Sequence, residues 1–346
     1  MRHLLVPFIV ASLFLIGCER EHGGATSSTQ PASGKKIRVA LLPKKVGVPY
    51  FTTCADGAKA AAAELGNIEL IYDGPTDGSP EKAASMIGKW TLQGVDVIAV
   101  SPNDPTVLAP RMKEARAKGV HVITWDADAD PDTRELFVNQ ATAQEIGYTL
   151  VDTLARDIAA ADKVTDPKQA KGNVAIITAT LTAANQNEWM KHMRERLKEY
   201  PGLVLVETKP SNEDQKLAFQ TAQDLMRAYP DLKGIWAISS VAFPGAAEAI
   251  KQAGKAGQVQ ITGLSTPNDM KSFVKDGTVK SVILWNTNDL GYLTIQVANA
   301  VANGTLKAGD GTFAAGKLGE REVRGDNVLL GKILVFTKDN IDQYDF

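Results

Sequence analysis

From Ile37 onward, short unbroken apolar runs alternate with longer segments of helical periodicity, and that alternation leaves few folds open. Ile37–Leu42, Ile68–Tyr72, Val95–Val100 and Val120–Trp125 read as strands; Pro49–Leu65, Pro80–Gln93 and Pro105–Lys118 read as helices, the last closed by Gly119. Unbroken apolar runs mark strands buried on both faces, and the helices between them supply the crossovers that a parallel sheet needs. After a polar stretch, Asp162–Lys171, the same grammar restarts. Val174–Ile177, Leu203–Glu207, Gly234–Ile238 and Val259–Gly263 are strands, separated by helical patterns over Asn185–Glu199, Asp214–Ala228 and Pro244–Ala253. The expectation is an α/β chain with two doubly wound, Rossmann-like parallel-sheet domains. In such sheets a ligand sits outside the carboxyl ends of the strands.

The 346 residues, 44% hydrophobic and 23% charged, are enough for two such domains. A net charge of −2 carries no basic stripe of the kind nucleic acid requires. Ahead of the body, Arg2 and the apolar run Leu4–Ile16 end at Gly17-Cys18. This run is too short for a membrane-spanning helix, so residues 1–17 read as a removed signal peptide. The boundary resembles the bacterial lipoprotein signal, which implies a diacylglycerol on the Cys18 thiol. The stretch 18–36, rich in Gly, Ser, Thr, Gln and Ala, suits a flexible tether. Membrane contact is then expected only through the Cys18 lipid, on the periplasmic or other extracytoplasmic face of a bacterial membrane. Cys54 has no partner for a disulfide, and the two histidines of the body, His121 and His192, belong to no metal-ligand motif.

Enzyme signatures fail in turn. G-x-G-x-x-G after the first strand, G-x-S-x-G and H-E-x-x-H are all missing from the sequence. Gly311–Lys317 matches the first seven positions of a P-loop, but the eighth is Leu318 and no apolar strand precedes it, so it reads as a loop. Without a nucleophile beside a base, the chain reads as a binder that needs no cofactor and no metal.

Eight segments then carry a specific resemblance, in order: Pro43–Phe51, Tyr72–Thr76, Thr124–Asp128, Asn139–Thr142, Asn185–Trp189, Gly263–Pro267, Leu284–Trp285 and Val335–Phe346. Together they resemble the type I periplasmic binding proteins of sugar ABC importers, in the branch that holds rhamnose-binding proteins and the receptor for the furanose quorum-sensing autoinducer. The resemblance implies a monosaccharide as ligand, ABC permease subunits as membrane partners and a monomeric state. It also implies a hinge that the chain crosses three times, with an N-terminal domain of residues 36–139 plus 286–325 and a C-terminal domain of 140–285 plus 326–346.

A monosaccharide offers a ring of hydroxyls around a weakly apolar C–H face, so its cleft needs carboxylates, amides, a cation and aromatic faces. The candidates at strand ends are Lys44, Phe51, Asp126, Asp128, Asn185, Gln186, Ser240, Trp285 and Asn286. Asp126 is expected to be the better acceptor of the two aspartates, Trp285 to stack, and Trp125 to be core. Relative to the autoinducer receptor, an acid is replaced at Asn185, and a proline and an alanine at Ile238 and Ser240. Ribose binders carry asparagine at Val48 and aspartate at Ser240. Both departures favour a deoxy sugar such as rhamnose, with the furanose autoinducer second. A sugar sensor for a membrane kinase would show the same fold and site.

Overall fold

The computed structural model describes residues 36–346, so the signal peptide, Cys18 and all of the tether before Lys36 lie outside the described residues. The first lobe opens with β1 (Ile37–Leu42), α1 (Pro49–Leu65), β2 (Ile68–Tyr72), α2 (Pro80–Leu92), β3 (Val97–Val100), α3 (Pro105–Ala117), β4 (His121–Trp125) and β5 (Phe137–Asn139). The second lobe follows with α4 (Ala143–Ala161), β6 (Gly172–Thr178), α5 (Ala184–Leu197), β7 (Leu203–Pro210), α6 (Gln215–Ala228), β8 (Leu232–Ala237), α7 (Ala242–Gln252), β9 (Gln260–Gly263), α8 (Pro267–Lys275) and β10 (Val282–Leu284). The chain then returns to the first lobe for α9 (Thr287–Ala302), β11 (Gly311–Ala314), β12 (Glu320–Arg324) and β13 (Asn327–Leu329), and ends in the second with β14 (Leu334–Phe336).

The first sheet has the order β11-β12-β13-β5-β4-β3-β1-β2, and the second β7-β6-β8-β9, which a parallel bridge between Leu264 and Ile283 extends toward β10 and the antiparallel β14. All four residues of β3 are fully buried, as a central strand covered on both faces must be. Helix ends obey local chemistry. Ser79 caps α2 ahead of Pro80, and Thr142 and Glu145 form a reciprocal capping box on α4. Gly66, at φ +71°, closes α1 by donating its N–H to Ala62 O.

In the first lobe α1 and α9 pack backbone to backbone. A Cβ added at Gly57 would lie 1.7 Å from Asn288 O, and one at Gly291 1.7 Å from Cys54 O, so the helices meet at their glycines and bury Tyr50, Cys54 and Ala58 between them and the sheet.

Two readings need correction. Residues 326–346 do not all belong to the second lobe: Asn327–Leu329 pairs in parallel with Phe137–Asn139, because the hairpin β12–β13 buries Val323 and Val328 against the first lobe. The third crossing therefore comes after Leu329. Gly311–Ala314 is not a loop but an edge strand antiparallel to β12, with Gly311 opposite Val323 and Ala314 opposite Glu320; its mostly exposed residues give no apolar run to mark it.

Candidate functional site

Strands of both sheets deliver their carboxyl ends to one cavity of about 220 Å³ between the lobes. Its centre is Asp126, the residue after β4. Its φ of +62° lies in the left-handed region, and Ala127 N donates to Trp125 O at 2.6 Å, closing a one-residue turn around it. Aspartate is among the few non-glycine residues that enter this region, and backbone strain of this sort gathers at binding and catalytic sites. The turn aims the carboxylate inward, where Tyr50 OH donates to Oδ1 at 2.8 Å and Ser101 Oγ to Oδ2 at 2.7 Å. Gln140 Nε2 donates to the Asp126 carbonyl at 3.0 Å, so the first crossing is bonded to the same residue.

Lys44, two residues past β1, lies 3.5 Å from Asp126 Oδ2 and donates to Asn185 Oδ1 at 3.2 Å. That bond joins the two lobes across the cavity. Asn185 is the second residue of α5, whose N-cap is Ala183, so Asn185 is not the cap. Gln186 lines the cavity too, but its Oε1 accepts from Thr178 Oγ1 and from Ala179 N, fixing the loop after β6.

Aromatic rings close the walls. Phe51 stands edge-on to Trp125 at 5.8 Å between centroids, and Trp125 is fully buried behind it with its Nε1 donating to Ala99 O, so Trp125 is core. Trp285 lines the cavity, edge-on to Tyr50 at 6.1 Å and inclined to Trp189 at 6.2 Å. Ile238, Leu264 and Leu284 add an aliphatic patch, and Ser240 borders it.

Seven of the nine expected residues thus come together: Lys44, Phe51, Asp126, Asn185, Gln186, Ser240 and Trp285. Two do not. Asp128 turns away to hold the buried Arg134, accepting from Nε at 2.9 Å and Nη2 at 2.6 Å, while Arg134 Nη1 reaches Asp326. Asn286 caps α9, its side chain accepting from Asp289 N at 3.1 Å.

Residues that the sequence reading passed over also line the cavity, among them Tyr50, Trp189 and Glu213. Burial, followed by the charge of Asp126, pushes the Tyr50 hydroxyl well above its usual pKa, so it stays a donor. Tyr50 adjoins Phe51 and could have been found one residue earlier. Glu213 follows β7, which runs three residues past its expected end at Glu207. Desolvation raises the Glu213 pKa, with Ser239 and Lys44 acting the other way. Among the described residues no group of three or more His, Cys, Asp or Glu side chains is placed to hold a metal, and no helix is long and apolar enough to cross a membrane.

Known proteins share this architecture. The D-ribose/D-allose-binding protein of Pseudomonas aeruginosa is 26% identical over 73% of this chain and 78% of its own length. LsrB from Clostridium saccharobutylicum in complex with AI-2 is 28% identical, with a TM-score of 0.84 over 90% of this chain and all of that one. A solute-binding protein of Clostridium phytofermentas with bound L-rhamnose is 27% identical, with a TM-score of 0.82 over 89% of this chain and 98% of that one. Such relatives are substrate-binding components of transport and not enzymes, the last of them a solute-binding protein of an ABC transporter. Residues 39–306 match the periplasmic binding protein domain, and the chain belongs to that extracytoplasmic family, with the type I fold.

Proposed function

We propose that this chain captures a monosaccharide between its lobes and delivers it to the permease of an ABC importer. The observation that carries the reading is the composition of the cavity: Lys44 pairs with the Asp126 carboxylate and donates a hydrogen bond to Asn185, in a space also lined by Phe51, Trp189 and Trp285. Hydrogen-bonding groups and aromatic rings around one cavity match the two-sided chemistry of a sugar ring. Its volume, about 220 Å³, is below the roughly 300–1,000 Å³ of sites for drug-sized ligands and suits a single ring.

Within that class we favour a deoxy sugar of the rhamnose kind. Ile238, Leu264 and Leu284 give a methyl group an apolar surface that a fully hydroxylated sugar would leave its own groups unpaired against. The furanose autoinducer is the second reading, favoured by the TM-score of 0.84 to the AI-2 complex. Lys44, Phe51, Asp126, Asn185, Gln186, Ser240 and Trp285 are the proposed ligand-binding residues. The lobes are proposed to close as a monomer about the three crossings, and the lipid on Cys18 to hold the protein at the membrane.

A thermal-shift and calorimetry panel of L-rhamnose, D-ribose, D-allose, xylitol and the autoinducer tests the reading. A ligand at 100 times its dissociation constant adds about 2.7 kcal/mol of stability, so the true ligand raises Tm clearly. No response to any sugar would sink the proposal, and a response to D-ribose alone would sink the deoxy-sugar preference.

A further inference from the structure

The β7–α6 loop carries two successive non-glycine residues in left-handed conformation, Asn212 and Glu213, each with φ of +52°. Asparagine tolerates left-handed backbone, whereas for glutamate it is unfavourable and persists only where the surroundings enforce it. They do so here: Ser211 N donates to Thr178 O at 2.8 Å and Asn212 N to Ala179 O at 2.7 Å, and Asp214 caps α6 through Leu217 N. The loop is therefore pinned on both sides of Glu213, and its unusual course delivers that carboxyl to the cavity.

Glu213 Oε2 accepts from Ser239 Oγ at 2.8 Å, while Oε1 has no hydrogen-bond partner among the described residues. Glu213 also borders an outer groove of about 980 Å³ between residues 45–49 of the first lobe and the second lobe; Lys45, Val48, Glu213 and Ser240 line both spaces. This side chain consequently stands where the inner cavity meets the outside, on the lobe opposite Asp126.

We infer that Glu213 is a specificity-determining residue, which meets a ligand hydroxyl through Oε1 from the second lobe while Asp126 meets the ring from the first. The inference rests on the sugar-binding reading and adds a second carboxyl to that site. Two carboxyls on opposed walls select a ring with polar groups on two edges, and the aliphatic patch beside Ile238 receives the part without them. The charges acting on Glu213 are those of Lys44, Lys45 and Asp126 from the first lobe; Asp214 and Lys216 on its own segment and Asp77 and Asp104 of the first lobe line the same two spaces. A ligand closing over Glu213 removes its remaining water, and this desolvation, which already outweighs the opposing Ser239 hydroxyl and Lys44 ammonium, favours the neutral carboxyl over the ionised one. Affinity then falls as pH rises through the raised pKa of Glu213.

Calorimetric titration of L-rhamnose and D-ribose into the wild type, Glu213→Gln and Glu213→Ala, each over a range of pH, tests this. Glu213→Ala is expected to weaken the better ligand about tenfold and to narrow the preference between the two sugars. Glu213→Gln, isosteric with the neutral acid, is expected to keep the affinity and lose its fall with pH. A wild type that binds neither these nor any sugar of the wider panel overturns the sugar-binding reading and this inference with it. A wild type that binds, with variants of unchanged affinity, selectivity and pH profile, overturns the role of Glu213 alone. A proportional loss for both sugars together with a lowered Tm assigns Glu213 to holding the loop and overturns it as well.

Discussion

The Tyr50 hydroxyl stands between two partners, donating to Asp126 Oδ1 at 2.8 Å and accepting from Trp285 Nε1 at 3.0 Å. One phenol thereby ties the carboxylate after β4 to the tryptophan at the second crossing. Replacing Tyr50 by Phe keeps the ring and removes both bonds, leaving the Trp285 N–H buried without a partner. The expected cost is about 1–3 kcal/mol of stability, with weaker ligand binding as Trp285 and Asp126 loosen. Urea unfolding and calorimetry measure both, and a variant as stable as the wild type would show that the phenol has no such role.

Asp126 demands a more careful substitution than truncation. Its two carboxylate oxygens already accept from Tyr50 and Ser101, and its φ is +62°. Asp126→Ala therefore disturbs the fold as well as the site. Asparagine tolerates left-handed backbone better than alanine. Asp126→Asn is expected to weaken ligand binding at least tenfold, about 1.4 kcal/mol, and to remain more stable than Asp126→Ala by about 1 kcal/mol. Equal Tm values for the two variants would contradict the backbone argument.

Asp128 tests the opposite case. It holds Arg134, whose side chain is 2% exposed, in a fork that Asp326 completes. Asp128→Ala leaves a buried guanidinium with one carboxylate and is expected to cost about 1–3 kcal/mol of stability. Ligand affinity should stay at the wild-type value. A large loss of affinity at unchanged Tm would return Asp128 to the site.

Gly57 and Gly291 set the distance between α1 and α9. Alanine at either position places a methyl group inside a backbone carbonyl, so the helices must separate. The expected destabilisation is about 1–3 kcal/mol or more for each, read by chemical denaturation. Wild-type stability in both variants would mean that the helices do not pack so closely.

Asp157 predicts a pH dependence. It is buried on α4; desolvation raises its pKa, opposed by Arg156 and by a hydrogen bond from Ser281. An acid whose folded pKa lies above its unfolded value favours the fold most below the unfolded pKa and loses that contribution as pH rises through the folded one. The stability of Asp157→Asn relative to the wild type should accordingly increase from about pH 4 to about pH 7. A difference that is flat with pH would count against it.

The sequence made the buried strands plain because burial on both faces leaves an unbroken apolar signature, as in Val97–Val100. It hid β11–β13, where exposed residues alternate with few apolar ones and Gly311–Lys317 imitates a phosphate loop. Lys209-Pro210 at the end of β7 is polar and half-exposed or exposed, so the strand looked shorter and Glu213 fell out of view. Two aspartates one residue apart were a different difficulty. Asp126 and Asp128 both follow β4, and only the partner of the second, Arg134, whose buried position depends on Asp326 far along the chain, shows which one faces the cavity.

The interleaving of the lobes also fixes the order in which they can be completed during synthesis. Strands β6–β9 of the second lobe are all present once Gly263 has been made, whereas the first sheet waits for Leu329 and the inner face of α1 waits for α9. Domains commonly fold from the N-terminus as they emerge; here the sheet that begins first is completed after the four-stranded sheet that begins second. A nascent chain that has reached Trp285 carries Tyr50, Cys54 and Ala58 with no helix to cover them, beside a second lobe whose four-stranded sheet is whole.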